Sequence, residues 1–142
     1  MKKKLLVING PNLNLLGERE TEIYGKMTLN QIEEKLKKYA EEKAVEVEFF
    51  QSNFEGEIIE KIHKARTSFE GIIINPAALS HTSYSILDAL KAAAIPCLEV
   101  HLSNIFARED FRKNSITASA CLAVISGLGW KGYLYALIHL LE

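Results

Sequence analysis

This sequence is short of most features that announce a function. It has two cysteines, Cys97 and Cys121, in 142 residues, too few for a disulfide framework and without metal-site spacing. Both sit in apolar runs, "IPCLEV" and "SACLAVIS", and read as buried thiols in strands. Charge of one sign is missing too: the formal net charge of -1 makes no electrostatic case for nucleic acid. No apolar run reaches membrane-spanning length. "MKKKLL" starts like a signal peptide, but Asn9-Gly10-Pro11 ends its apolar run early, so a cytoplasmic location is the default expectation. Neither a Walker pattern nor G-x-G-x-x-G is present. No Ser or Cys stands in a nucleophile motif, and there is no repeat, linker or low-complexity segment.

What is there is an alternation. The length suggests one domain, residues 1–142. Lys4 to Asn9 reads as a buried strand. Thr28 to about Lys43 reads as a helix with Leu29, Ile32, Leu36 and Tyr39 on one face, and "TLNQ" has the form of a capping box. Val45 to Gln51 alternates as a strand. "SNFE" is expected to cap a second helix carrying Ile58, Ile59, Ile62 and Ala65. Gly71 to Asn75 is a short apolar strand, Thr82 to Ala94 a helix, "PCLEVHL" a strand opened by Pro96, Ala120 to Ser126 a fifth strand, and "WKGYLYALIHLLE" a closing helix. Strands and helices in turn imply an α/β fold, a doubly wound five-stranded parallel sheet covered on both faces. The flavodoxin-like order 2-1-3-4-5 is expected, with a ligand beyond the carboxyl ends of the strands, at the switch point between strands 1 and 3.

Polar groups collect at those ends. "NGPNLNLLGERETEIYG", Asn9 to Gly25, follows strand 1. "NPAALSHTS" follows strand 3, and "EVHLSN" with "IFAREDFR" ends strand 4. They supply Asn9, Asn12, Asn14, Arg19, Tyr24, Asn75, His81, Glu99, His101, Ser103, Asn104, Arg108 and Arg112. Asn and Gly after a strand often only make turns, and a structural ion pair is the alternative reading of Glu99 with His101. Yet the period of two puts Glu99 and His101 on one face of a buried strand. The stretch from Gly10 to Met27 is long for a loop without regular structure. Gly17 and Gly25 bracket Arg19 and Tyr24, the design of a lid, with Leu13, Leu15 and Leu16 expected to anchor its base. A guanidinium beside a phenol favours the phenolate, a base. An imidazole oriented by a carboxylate is an acid. Such a pair suits removal of a proton next to a carbonyl followed by loss of a hydroxyl, with Asn side chains on the enolate oxygen and Arg112 on a carboxylate. A non-catalytic module binding a carboxylate, and a nucleotide or flavin protein, are the alternatives.

Five colinear segments, "NGPNLNLLGERETEIYG", "FFQSNFEGEIIEKIH", "IIINPAALSHTSYSILDAL", "IPCLEVHLSNIFAREDFR" and "SGLGWKGYLYAL", resemble type II 3-dehydroquinate dehydratases from about Leu5 to Leu137. The resemblance implies reversible anti elimination of water from 3-dehydroquinate through an enolate, without metal, cofactor or imine. It also implies roles. Tyr24 resembles the base and Arg19 the residue that activates it. His101 resembles the acid, oriented by Glu99, and Asn12 the residue positioning an enolate-stabilising water. Asn75, His81, Arg112 and the backbone of Leu102 and Ser103 resemble the substrate-binding set. Asp88, which its position alone marks as a helix-surface charge, resembles a residue reaching a neighbouring subunit's site. A homododecamer, a tetramer of trimers, is implied as well. Two departures stand out: Ala77 where many members have Gly, and Lys113, at the rim, where many have His.

Overall fold

A computed structural model describes residues 2–142. Five parallel strands form one sheet, β1 Lys4–Asn9, β2 Glu46–Gln51, β3 Gly71–Asn75, β4 Cys97–His101 and β5 Ala123–Ser126, in the order β2-β1-β3-β4-β5. The architecture is the expected flavodoxin-like one. Alternation along each strand splits the core in two. Leu5 and Val7 face one layer, where Ile32, Leu36 and Ala40 of α2 (Leu29–Glu42) and Tyr133, Ala136 and Leu137 of α5 (Lys131–Leu141) pack. Leu6 and Ile8 face the other, with Ile58 and Ile62 of α3 (Glu55–Ala65) and Ile86 and Leu90 of α4 (Tyr84–Ala93). Full burial of such side chains is worth about 1.5–3 kcal/mol each, so a register slip that turned β1 over would forfeit both layers.

Local chemistry explains several element ends. Thr28 Oγ1 accepts the Gln31 N–H at 3.1 Å and Gln31 Oε1 accepts the Thr28 N–H at 2.9 Å, so the capping box forms. Ser83 caps α4 through the Ile86 N–H at 2.9 Å, so that helix starts two residues later than expected. The cap expected from "SNFE" does not form on α3. Phe54 is the capping residue, and Ser52 Oγ takes the Phe54 N–H instead at 2.9 Å. The fifth strand is shorter than expected, because Thr117–Ala120 winds into a 3-10 turn before it. Cys121 therefore lies ahead of β5 rather than in it, half-buried, with its Sγ 3.7 Å from that of buried Cys97. Nor is the segment after β1 irregular throughout. It holds a 3-10 turn, Leu13–Leu15, and the single-turn helix α1, Thr21–Tyr24. Leu13 and Leu16 anchor it, but Leu15 is exposed. Among the described residues no helix is long and apolar enough to cross a membrane.

Candidate active site

β4 carries Glu99 and His101 to its carboxyl end, both buried. His101 Nε2 donates to Glu99 Oε2 at 2.7 Å. Ser115 Oγ donates to the same oxygen at 2.6 Å, and Thr117 Oγ1 donates to Oε1. Burial alone would push this carboxyl up, but the hydrogen bonds from His101, Ser115 and Thr117 outweigh it and hold Glu99 below the ordinary carboxyl range. An ionised Glu99 keeps the proton on Nε2 and leaves Nδ1 as the ring nitrogen that can exchange one. The His81 ring lies nearly parallel to that of His101, centroids 6.5 Å apart. Its Nδ1 donates to the Asn114 carbonyl at 2.9 Å, which assigns the proton to that nitrogen.

The loop after β1 brings a phenol to the same place. Tyr24 closes α1, and its hydroxyl accepts from Arg108 Nη1 at 2.7 Å. Arg108 is the residue that strand-end reasoning counted but gave no role, because a partner 84 residues away leaves no spacing signal. Arg19 meets Tyr24 differently from the expected contact at the oxygen. Its guanidinium lies over the ring, 4.7 Å from the centroid, and pairs with Glu20 at 2.5 Å. The phenol thus has one cation at its oxygen and two over its face, since the Arg108 guanidinium is 5.1 Å from the centroid.

Asn75 ends β3 and is held on both polar atoms. Its Nδ2 donates to Tyr133 Oη at 2.9 Å, its Oδ1 accepts the Ala77 N–H at 3.1 Å, and Tyr133 Oη donates to Asn9 Oδ1 at 2.6 Å. Burial pushes the Tyr133 hydroxyl far up, so it remains a neutral strut. Asn12 is left-handed, φ 70, and its N–H is fixed by Asn53 Oδ1 at 2.9 Å. Asn53 and Gln51, at the end of β2, carry no charge but brace this loop, for Gln51 Nε2 also donates to the Gly10 carbonyl at 3.2 Å.

These elements enclose a cleft of about 120 Å³ lined by Asn12, Arg19, Tyr24, Asn75, His81, His101, Leu102, Ser103, Arg108 and Arg112. Among the described residues the amide N–H groups of Leu102 and Ser103 find no acceptor within the chain, and both residues line the cleft together with Arg112. Glu99 stands behind His101 rather than in the lining. Asp88 lies exposed on α4, away from the cleft. Of the two departures, Ala77 lines the cleft, whereas Lys113 pairs with Asp110 at 3.0 Å outside it.

A family model described as dehydroquinase class II matches residues 3–141. The 3-dehydroquinate dehydratase of Caldicellulosiruptor saccharolyticus is 57% identical over 99% of this chain and 97% of its own length. That of Aliarcobacter butzleri is 55% identical over 98% and 85%. The crystal structure of type II dehydroquinase from Butyrivibrio crossotus superposes with a TM-score of 0.98 at 46% identity, covering 99% of both chains. With the sheet order and the cleft at its switch point, these matches mean that the chain belongs to the class II dehydroquinase family.

Proposed function

We propose that this chain, as one catalytic domain over residues 1–142, reversibly dehydrates 3-dehydroquinate to 3-dehydroshikimate in the shikimate pathway, in the cytoplasm and with its own side chains only. One observation carries the reading: a phenol gripped by two guanidiniums and an imidazole backed by a buried carboxylate line one cleft. The Tyr24 phenolate takes the proton from the carbon next to the substrate ketone. The electron pair moves into the carbonyl, and the enolate oxygen is met by a water held by Asn12. The pair then returns, the carbon–oxygen bond to the leaving hydroxyl breaks, and His101 gives that oxygen its Nδ1 proton, so water departs. Arg19 and Arg108 hold the negative charge on the base. Arg112 and the amides of Leu102 and Ser103 suit the substrate carboxylate, while Asn75 and His81 suit its hydroxyls. Gly17 and Gly25, both at positive φ, support the segment between them as a lid.

Assembly into a dodecamer, a tetramer of trimers, is part of the same proposal. It is supported by apolar side chains left open on the edge strand and beyond, Leu122 at 65% and Val124 at 38% exposure among them. Asp88, exposed on α4 and outside this cleft, is then free to serve a neighbouring copy; sedimentation of the purified protein tests the assembly. The activity is tested by the absorbance of the conjugated enone formed from 3-dehydroquinate. Wild type treated with borohydride should keep its activity, and Tyr24→Phe should lose it while still binding substrate. No enone from wild-type protein that binds the substrate defeats the reading.

A further inference from the structure

We propose that Thr117, with Ser115, is a positioning residue for the dehydration, its hydroxyl orienting the Glu99 carboxylate and, through it, the imidazole of His101. The inference rests on the reading of His101 as the acid. Glu99 has no solvent contact, so every lone pair it keeps must be met from the protein. Oε2 takes His101 and Ser115; Oε1 takes Thr117. Each hydroxyl has one proton, and both are spent on the carboxylate, so the 3.3 Å contact between Ser115 Oγ and Thr117 Oγ1 uses neither. Donors on both oxygens leave the carboxylate plane no freedom to turn. The bracket is itself fastened. Ile116 N–H donates to the Ser80 carbonyl at 2.6 Å, the Asn114 carbonyl takes His81 Nδ1, and Ser115 Oγ also accepts the Ala118 N–H at 3.2 Å. Neither hydroxyl lines the cleft, and Glu99 is the charged group that both of them reach.

The other titratable groups nearby do not compete for this role. Cys97, two residues back on β4, is held well above the ordinary thiol range by its contact with Cys121 and by burial, and stays neutral. Cys121 contacts the Thr117 carbonyl through Sγ at 3.7 Å, away from the carboxylate. His81 stacks beyond His101, and Arg108 and Arg112 lie in the cleft lining. His101 is therefore the group with which Glu99 shares a proton. In the productive state the ring is a cation: Nε2–H stays on Glu99 and Nδ1–H goes to the leaving hydroxyl, leaving a neutral ring. Without the hydroxyl donors the carboxylate gains proton affinity. It also loses the fixed plane that aims the ring through Nε2–H, so the Nδ1 proton is delivered less well to the leaving hydroxyl.

The test compares Thr117→Val, which keeps the shape and loses the donor, with Thr117→Ser, which restores it. Enone formation from 3-dehydroquinate is followed across pH, with thermal melts of each protein. Thr117→Val is expected to lower kcat roughly tenfold, leave KM nearly unchanged and move the acid limb of kcat toward neutral pH, because one of the three donors that hold the Glu99 carboxyl down is gone. Thr117→Ser is expected to match wild type. Ser115→Ala carries the same expectation should Thr117→Val fail to fold. Wild-type kcat and acid limb in both donor-deletion variants, or Thr117→Ser as impaired as Thr117→Val, overturns the proposal. Failure of the underlying reading has a different mark: His101→Ala that retains kcat.

Discussion

Arg108 is the side chain that meets the proposed base, Tyr24, most directly, through a single 2.7 Å bond to its hydroxyl. A charge-assisted hydrogen bond of this kind is worth about 1.5–3 kcal/mol, so Arg108→Met should lower kcat roughly ten- to a hundredfold, read in the enone assay. Ala77 poses a different question. Its φ of 54 is a conformation that costs an L-residue about 1–2 kcal/mol, and glycine returns about 0.5–1 kcal/mol of that through its freer unfolded chain. Ala77→Gly should therefore raise the unfolding free energy read from urea denaturation by roughly half a kcal/mol, and change KM if the methyl it removes from the cleft wall touches substrate. Both residues show where sequence reasoning ends. The Glu99–His101 pair is legible because the period of a strand fixes which residues share a face. Arg108 and the hydroxyls of Ser115 and Thr117 are not, because their partners are brought to them by the fold and "RKNSITASA" reads as an ordinary turn.

Among the elements, the two loops at the switch point are joined backbone to backbone. Gly10 N–H donates to the Asn75 carbonyl at 2.8 Å, and a Cβ on Gly10 would stand 2.5 Å from the Pro76 carbonyl oxygen. Backbone cannot yield as a side-chain tip can. Gly10→Ala should cost about 1–3 kcal/mol in chemical denaturation and weaken substrate binding, since Asn12 and Asn75 are carried on the segments forced apart. Most strands are readable from apolar runs bounded by Gly, Pro and Asn, β2 from its alternation, and the sheet order from five such strands taken in turn with helices. Capping was readable where the partner is three residues away, as in Thr28 and Gln31. It failed at α3, where Ser52 turns to the nearer Phe54 N–H. The start of β5 was missed because apolar residues alone do not separate a 3-10 turn from an exposed edge strand.

For the whole molecule, the buried Glu99 sets an acid limit. Its folded carboxyl lies below the ordinary value of 4.5, so it contributes stability that is fully present above that value and is lost as pH falls through the folded one. Glu99→Gln removes this contribution. Urea midpoints of the variant should vary less with pH below about 4.5 than those of wild type, while its enone formation falls at every pH. At the same scale, Tyr133 ties the last helix to the first and third strands through Asn9 and Asn75. Every residue lining the cleft precedes that helix in the chain. During synthesis, then, all the groups that line the cleft leave the ribosome before the strut that sets Asn75 does. A nascent chain becomes an enzyme only with its final turns, and a fragment cut short of Tyr133 carries a full set of reactive side chains without the tool they make.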